Sequence, residues 1–296
     1  MSRRATYLRL GRVSNLPTVW TNAAAGIVLA GARPGIASYA LLAGALSLFY
    51  VGGMFLNDAF DREIDACERP ERPIPSGAVG AAEVFAIGFG LLAAGMLAIV
   101  LYAPRTGPIA AALVLAATIV LYDLWHKTNP LSPVVMGACR ALVYVTAALA
   151  VSTSPAGRVV TIGAGCLFAY LIGLTYAAKQ EQPGQLRRLW PLVLLMAPLA
   201  GALAIPTDDR WPSHRPLAAA VMPVVCLLFL GVVVAALTRL RGTAPDRFPR
   251  AIAAMIAAIS LADALAIAGA GATSTALVAI LGWPATLVLQ RWVRGT

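Results

Sequence analysis

The 296-residue chain is 59% hydrophobic and only 12% charged, with a mean hydropathy of +0.78. A soluble domain carries about a quarter charged residues, so the composition excludes one. The formal charge of +10 is spread over short segments between apolar runs, not gathered in a basic stripe with interleaved aromatics, which excludes a nucleic-acid-binding surface.

In chain order, the basic segment MSRRATYLRLGR is not followed by a small-residue cleavage site, so the first apolar run is expected to remain in the protein. Strands of alternating polarity are not seen, and apolar runs suited to crossing a hydrocarbon core of about 30 Å as helices are predicted at 15–32, 37–58, 81–103, 107–125, 133–151, 159–178, 189–205, 216–237, 250–269 and 274–290. The predicted architecture is an all-α polytopic transmembrane helical bundle, a single domain over residues 1–296. It has ten spans, or nine if GAGATST at 269–275 is a kink within one tilted helix; Asp263 interrupts the ninth run. The four cysteines, Cys67, Cys139, Cys166 and Cys226, have no C-x-x-C spacing and read as packing residues.

The connections differ in charge. The N-terminus (Arg3, Arg4, Arg9, Arg12) and the segments after spans 2, 4, 6 and 8 hold fifteen Lys and Arg residues, against five after spans 1, 3, 5 and 7. The positive-inside rule then places the N-terminus and the even-span connections on the cytoplasmic side. His126 and His214 fall on opposite sides and cannot share a metal.

The stretch NDAFDREIDACERPERPIPSG, residues 57–77, follows the second span and holds six of the chain's thirteen carboxylates. If the helix continues, Asp58, Asp61 and Asp65 stand at i, i+3 and i+7 and share one face over two turns, with Asn57 at its edge. Mg2+ takes oxygen ligands, usually one or two carboxylates with waters and substrate phosphates, so this ladder suits a metal-bridged diphosphate. The competing reading is a solvated loop in which Arg62, Arg69 and Arg72 pair with the acids. Pro70, Pro73, Pro75 and Gly77 end the helix and fold the chain back, leaving Arg72 in a turn that can face a phosphate.

With N57-D58-x-x-D61-x-x-x-D65 followed by R72-P-I-P-S-G77, the chain resembles the UbiA superfamily of intramembrane prenyltransferases. The resemblance extends over most of the chain and implies a bundle of about nine helices with a polar site near the cytoplasmic face. It also implies that the acid motif binds Mg2+ and an isoprenyl diphosphate. Asp58 and Asp61 become catalytic and, with Asp65, metal-binding residues; Arg72 joins them in catalysis and Asn57 in substrate binding. The opening segment LRLGRVSNLPTVWTNAAAGI matches the family at Arg12, Asn15 and Asn22, although anchoring, capping and helix packing account for these residues equally well.

The segment YDLWHKTNP is similar to the family's Tyr/Lys element. It carries over Lys127 as catalytic and Tyr122 as substrate-binding, beside the alternative of an ordinary i, i+4 ion pair between Asp123 and Lys127. Arg140, inside the fifth span, is expected to face a polar cavity. The family's second aspartate-rich motif is replaced by LTYAAKQEQPG, where Lys179 and Glu181 are the candidate substrate-binding residues. This departure resembles a divergent branch associated with Ebo-type gene clusters. Phe60, Tyr122 and Tyr176 are candidates to steady a prenyl cation. The resemblance implies transfer of a prenyl group to an unidentified acceptor; the alternative is a protein of the bilayer that binds or moves a prenyl diphosphate or lipid without cleaving it.

Overall fold

The computed structural model describes residues 3–127, 129–153, 157–179, 190–206, 215–240 and 246–293. All regular structure among them is helical. A short α1 (Arg3–Leu10) and a 3-10 turn (Val13–Asn15) lead into α2 (Leu16–Leu29), followed by α3 (Ile36–Phe60), α4 (Arg62–Glu68), α5 (Ala81–Tyr102), α6 (Thr106–Trp125), α7 (Ser132–Val151) and α8 (Arg158–Ala178). A second 3-10 segment (Trp190–Met196) precedes α9 (Ala197–Ala204), and α10 (Arg215–Leu240), α11 (Arg247–Ala257), α12 (Ile259–Gly269) and α13 (Thr273–Trp292) complete the bundle.

Among the described residues, eight helical segments are long and apolar enough to cross a membrane, with α11 and α12 counted as one. The chain is an integral, multi-pass membrane protein. Large side chains such as Leu97, Leu101, Leu113, Leu227 and Leu281 point outward, as suits a lipid-facing surface.

The last two predicted spans are two separate helices, as the ten-span count expects, and not one helix kinked at 269–275. The first predicted run, 15–32, is helical over Leu16–Leu29. At both places a glycine with positive φ, Gly31 (70°) or Gly271 (91°), ends the helix. The amides of Gly271 and Ala272 bond back to Ala268 and Ile267, which caps α12 and starts α13 as a separate helix. The run at 189–205 is a 3-10 segment followed by only two turns of α-helix, too short to cross alone. The ninth run bends at Ala258 without losing its helical hydrogen bonds, since the amide of Ala262 bonds to Ala258.

Close helix approach positions the interior. A Cβ added at Gly26 would lie 2.5 Å from the Tyr144 carbonyl, so only glycine lets α2 lie this close to α7. Almost all of α12 is buried, enclosed chiefly by α2, α9, α10 and α13. Polar side chains of α2, α7 and α12 meet along this seam.

Candidate active site

Helical hydrogen bonding persists through the nominal break between α3 and α4. The Asp61 amide bonds to the Asn57 carbonyl at 3.0 Å and the Asp65 amide to Asp61 at 2.8 Å. The i, i+3, i+7 face is therefore kept, and it turns inward: Asp58, Asp61 and Asp65 are all buried, Asp65 to 1% exposure. Glu63 points away, its side chain 81% exposed beside Arg62. Both readings of this stretch survive in part, since the aspartates form one inward face and some of the arginines pair with acids.

Two arginines from different segments reach the aspartates and share Asp58 Oδ1. The turn after α4 brings Arg72 back, so that Nη1 lies 2.6 Å from Asp65 Oδ2 and 3.4 Å from Asp58 Oδ1. From the N-terminal segment, Arg12 Nη2 lies 3.3 Å from both Asn57 Oδ1 and Asp58 Oδ1. Arg12 is the one non-glycine residue with positive φ among the described residues, at 42°. Left-handed backbone costs an L-residue roughly 1–2 kcal/mol, and such strain tends to collect at functional sites. Burial is the largest single influence and opposes the Arg12 charge, but Asp58, Tyr50, Tyr122 and Asp123 together outweigh it and raise the pKa above the ordinary guanidinium value.

The end of α6 closes a third side. His126 Nε2 lies 3.4 Å and Lys127 Nζ 3.6 Å from Asp61 Oδ2, with Glu68 4.0 Å from the same lysine. The ring of Tyr122 stacks on His126 at 4.8 Å. The Asp123–Lys127 pair offered by the sequence does not form: Asp123 turns inward and accepts a 3.2 Å hydrogen bond from Asn57 Nδ2. Asp123 thus adds a fourth buried carboxylate that the motif did not reveal.

Lys179 is placed differently from its expected role. Its Nζ donates to the carbonyls of His126 (2.9 Å) and Asn129 (3.0 Å), and burial lowers its pKa. It holds the turn that presents His126 and Lys127 and does not itself reach the aspartates, because backbone carbonyls already engage its ammonium. Glu181 lies outside the described residues.

Asn15, Asn22 and Arg140 belong to a deeper layer. Asn15 donates to Tyr50 Oη (3.1 Å) and accepts from Gln290 (3.0 Å). Arg140 Nη1 donates to Asn22 Oδ1 at 2.9 Å, and Asn22 Nδ2 donates to both oxygens of Asp263 at 2.8 Å. Thr21 and Tyr144 also donate to Asp263, each at 2.5 Å. The sequence marked Asp263 only as an interruption of a span; an ionisable residue inside an apolar helix was the available signal.

The outer layer fits a hard divalent cation in its donor set. Asp65 Oδ1 and Asp123 Oδ2 are buried without a hydrogen-bond partner, and the surrounding acceptors are carboxylate and amide oxygens. Among the described residues no three His, Cys, Asp or Glu side chains converge as a ready cage. Mg2+ does not require one, because it usually retains waters and takes substrate phosphates beside one or two carboxylates.

Comparison with known proteins places the fold and the family. A digeranylgeranylglyceryl phosphate synthase of Ignicoccus hospitalis is 41% identical over 105 residues, covering 36% of this chain and 34% of that protein. The corresponding enzyme of Methanopyrus kandleri is 38% identical over 97 residues, covering 32% and 35%. The matched segment thus spans about a third of the length of these relatives. In fold, the chain matches a solved structure of a digeranylgeranylglyceryl phosphate synthase with a TM-score of 0.61 at 18% identity, over 93% of this chain and all of the other. A UbiA homolog from Archaeoglobus fulgidus bound to DMAPP and Mg2+ matches at 0.51 and 12% identity, over 93% and 99%. The model of the UbiA prenyltransferase family matches residues 16–294, nearly the whole chain, and the protein belongs to that family.

Proposed function

We propose that the protein is a Mg2+-assisted prenyltransferase, which moves an isoprenyl group from its diphosphate to an acceptor. The observation that carries this reading is the outer layer itself, where buried Asp58, Asp61, Asp65 and Asp123 are interleaved with Arg12, Arg72, His126 and Lys127. Such a layer can receive both a cation and the anion that the cation accompanies. Asp58 and Asp61 would hold Mg2+, which when bound supplies positive charge to a departing diphosphate. Arg12, Arg72 and Lys127 line the same space and would bind the diphosphate oxygens, stabilising the charge that develops as the allylic C–O bond breaks. The apolar helices around the site exclude water that would otherwise capture the prenyl group. The excess of Lys and Arg in the segments on this side supports a cytoplasmic orientation.

The test is release of inorganic pyrophosphate by the purified protein in lipid, given a series of prenyl diphosphates and a membrane extract, with Mg2+ or with EDTA. Release is expected with Mg2+ only, and to be lost in Asp58→Ala and Asp61→Ala but kept in Glu63→Ala, whose side chain faces solvent. Metal-dependent binding without release under any acceptor would instead support the reading of a binding or transfer protein. Unchanged binding in both aspartate variants would overturn the site assignment.

A further inference from the structure

The end of the bundle opposite the aspartates carries a feature that prenyl transfer does not use. Arg105 directly precedes α6 and Asp123 lies near its end, eighteen residues further on. At 1.5 Å per residue they are about 27 Å apart along the helix, close to the ~30 Å of a hydrocarbon core, so Arg105 lies at the opposite headgroup level. There the ends of α2, α5 and α7 and the segments leading into α3 and α6 surround a cleft of about 580 Å3. Its lining includes Arg33, Pro34, Tyr102, Pro104, Arg105 and Val151.

The charge of this cleft has one sign. Of the five Lys and Arg residues in the connections on this side, Arg33 and Arg105 border the same space. The stretches that build it contain no Asp or Glu at all: residues 1–57, 84–122 and 124–180 are free of acids. Arg105 is also fixed in place. Its Nη1 donates to the Ser152 carbonyl at 2.6 Å, and its Nη2 donates to those of Leu149 and Ala150 at 2.8 and 2.9 Å. These bonds satisfy carbonyls at the C-terminal end of α7. Their acceptors are neutral, so they hold the positive charge without cancelling it.

We propose that this cleft binds the headgroup phosphate of an anionic glycerophospholipid in the leaflet opposite the aspartates. Two arginines and no carboxylate at headgroup depth are complementary to that phosphate. Arg105 supplies the fixed charge, and Arg33, exposed at the rim, meets the phosphate from the other side. Tyr102 is of the residue type that settles at this interface. Ile36 and Leu101, next to the lining residues in sequence and strongly exposed, offer apolar surface along which the acyl chains run. A lipid seated here would tie together the ends of α2, α5 and α7, at a site independent of the prenyl diphosphate.

The experiment titrates the full chain, delipidated in detergent, with phosphatidylglycerol or with phosphatidylcholine of the same acyl chains, and counts bound lipid by native mass spectrometry. Phosphatidylglycerol is expected to bind at least about fivefold more tightly than phosphatidylcholine, and Arg33→Gln to weaken it by about fivefold. Arg33 is exposed, so this variant leaves the packing of the bundle intact, whereas Arg105→Gln would also strip the carbonyls of α7 of their donor. Arg158→Gln removes an exposed arginine on the same side but outside the cleft, and should keep the wild-type preference. Equal affinity for the two lipids overturns the proposal, as does a preference that survives Arg33→Gln or falls as far in Arg158→Gln. An excess of inorganic phosphate should leave the preference in place; its loss would assign the cleft to a free anion and overturn the lipid.

Discussion

Removing the carboxylate of Asp65 should disturb the turn after α4 more than it disturbs the helix that carries it. Asp65 is almost fully buried, and its contact with Arg72 at 2.6 Å is the shortest cation–carboxylate approach in the outer layer. Arg72 has only a looser second contact, 3.4 Å to Asp58. Breaking a buried pair by deleting one partner typically costs about 3–5 kcal/mol. The Arg72 side chain keeps about a fifth of its surface accessible, and water there reduces the penalty, so we expect roughly 2–3 kcal/mol for Asp65→Asn. Arg72→Gln should cost a similar amount, and the double variant should cost clearly less than the two together. The assay is a double-mutant cycle on reversible unfolding in mixed micelles at neutral pH. A coupling energy of about 1.5–2 kcal/mol is expected; additivity to within about 0.5 kcal/mol would show that the two groups do not interact as described.

Two further outcomes separate local strain from function and packing. Arg12→Gly relieves the left-handed backbone, worth roughly 1–2 kcal/mol, but removes the contacts with Asn57 and Asp58, so the two effects should offset and stability change by less than about 1 kcal/mol while Mg2+-dependent diphosphate binding falls; a stability loss as large as that of Arg72→Gln would refute a strained but functional role. Gly26→Val should cost about 1–3 kcal/mol by overpacking, measured as a lowered melting temperature, because its Cβ would meet the Tyr144 carbonyl; a neutral substitution would show that α2 and α7 can separate freely.

The bundle and the inward aspartate face were legible because both rest on local periodicity. Long apolar runs indicate spans, and the i, i+3, i+7 spacing of Asp58, Asp61 and Asp65 persists through the break between α3 and α4 because the helical hydrogen bonds do. Asp123 was not marked as a site residue, since Lys127, four residues away, offered an alternative partner; a buried amide from another helix, Asn57, holds it instead. Lys179 shows the same limit: charge at the right end of a helix did not reveal that nearby carbonyls would engage it. Asp263 was hardest to place, for its donors Thr21 and Asn22 are more than 240 residues away in sequence.

That separation bears on how the chain is made. Asn22 and Arg140 enter the membrane long before α12 is synthesised, and until Asp263 arrives their polar groups lack the carboxylate that orders them. A bundle truncated before α12 would expose an arginine and an asparagine in the hydrocarbon interior, where unsatisfied polar groups cost several kcal/mol each. Asp263 therefore joins the last third of the protein to the first through one buried carboxylate.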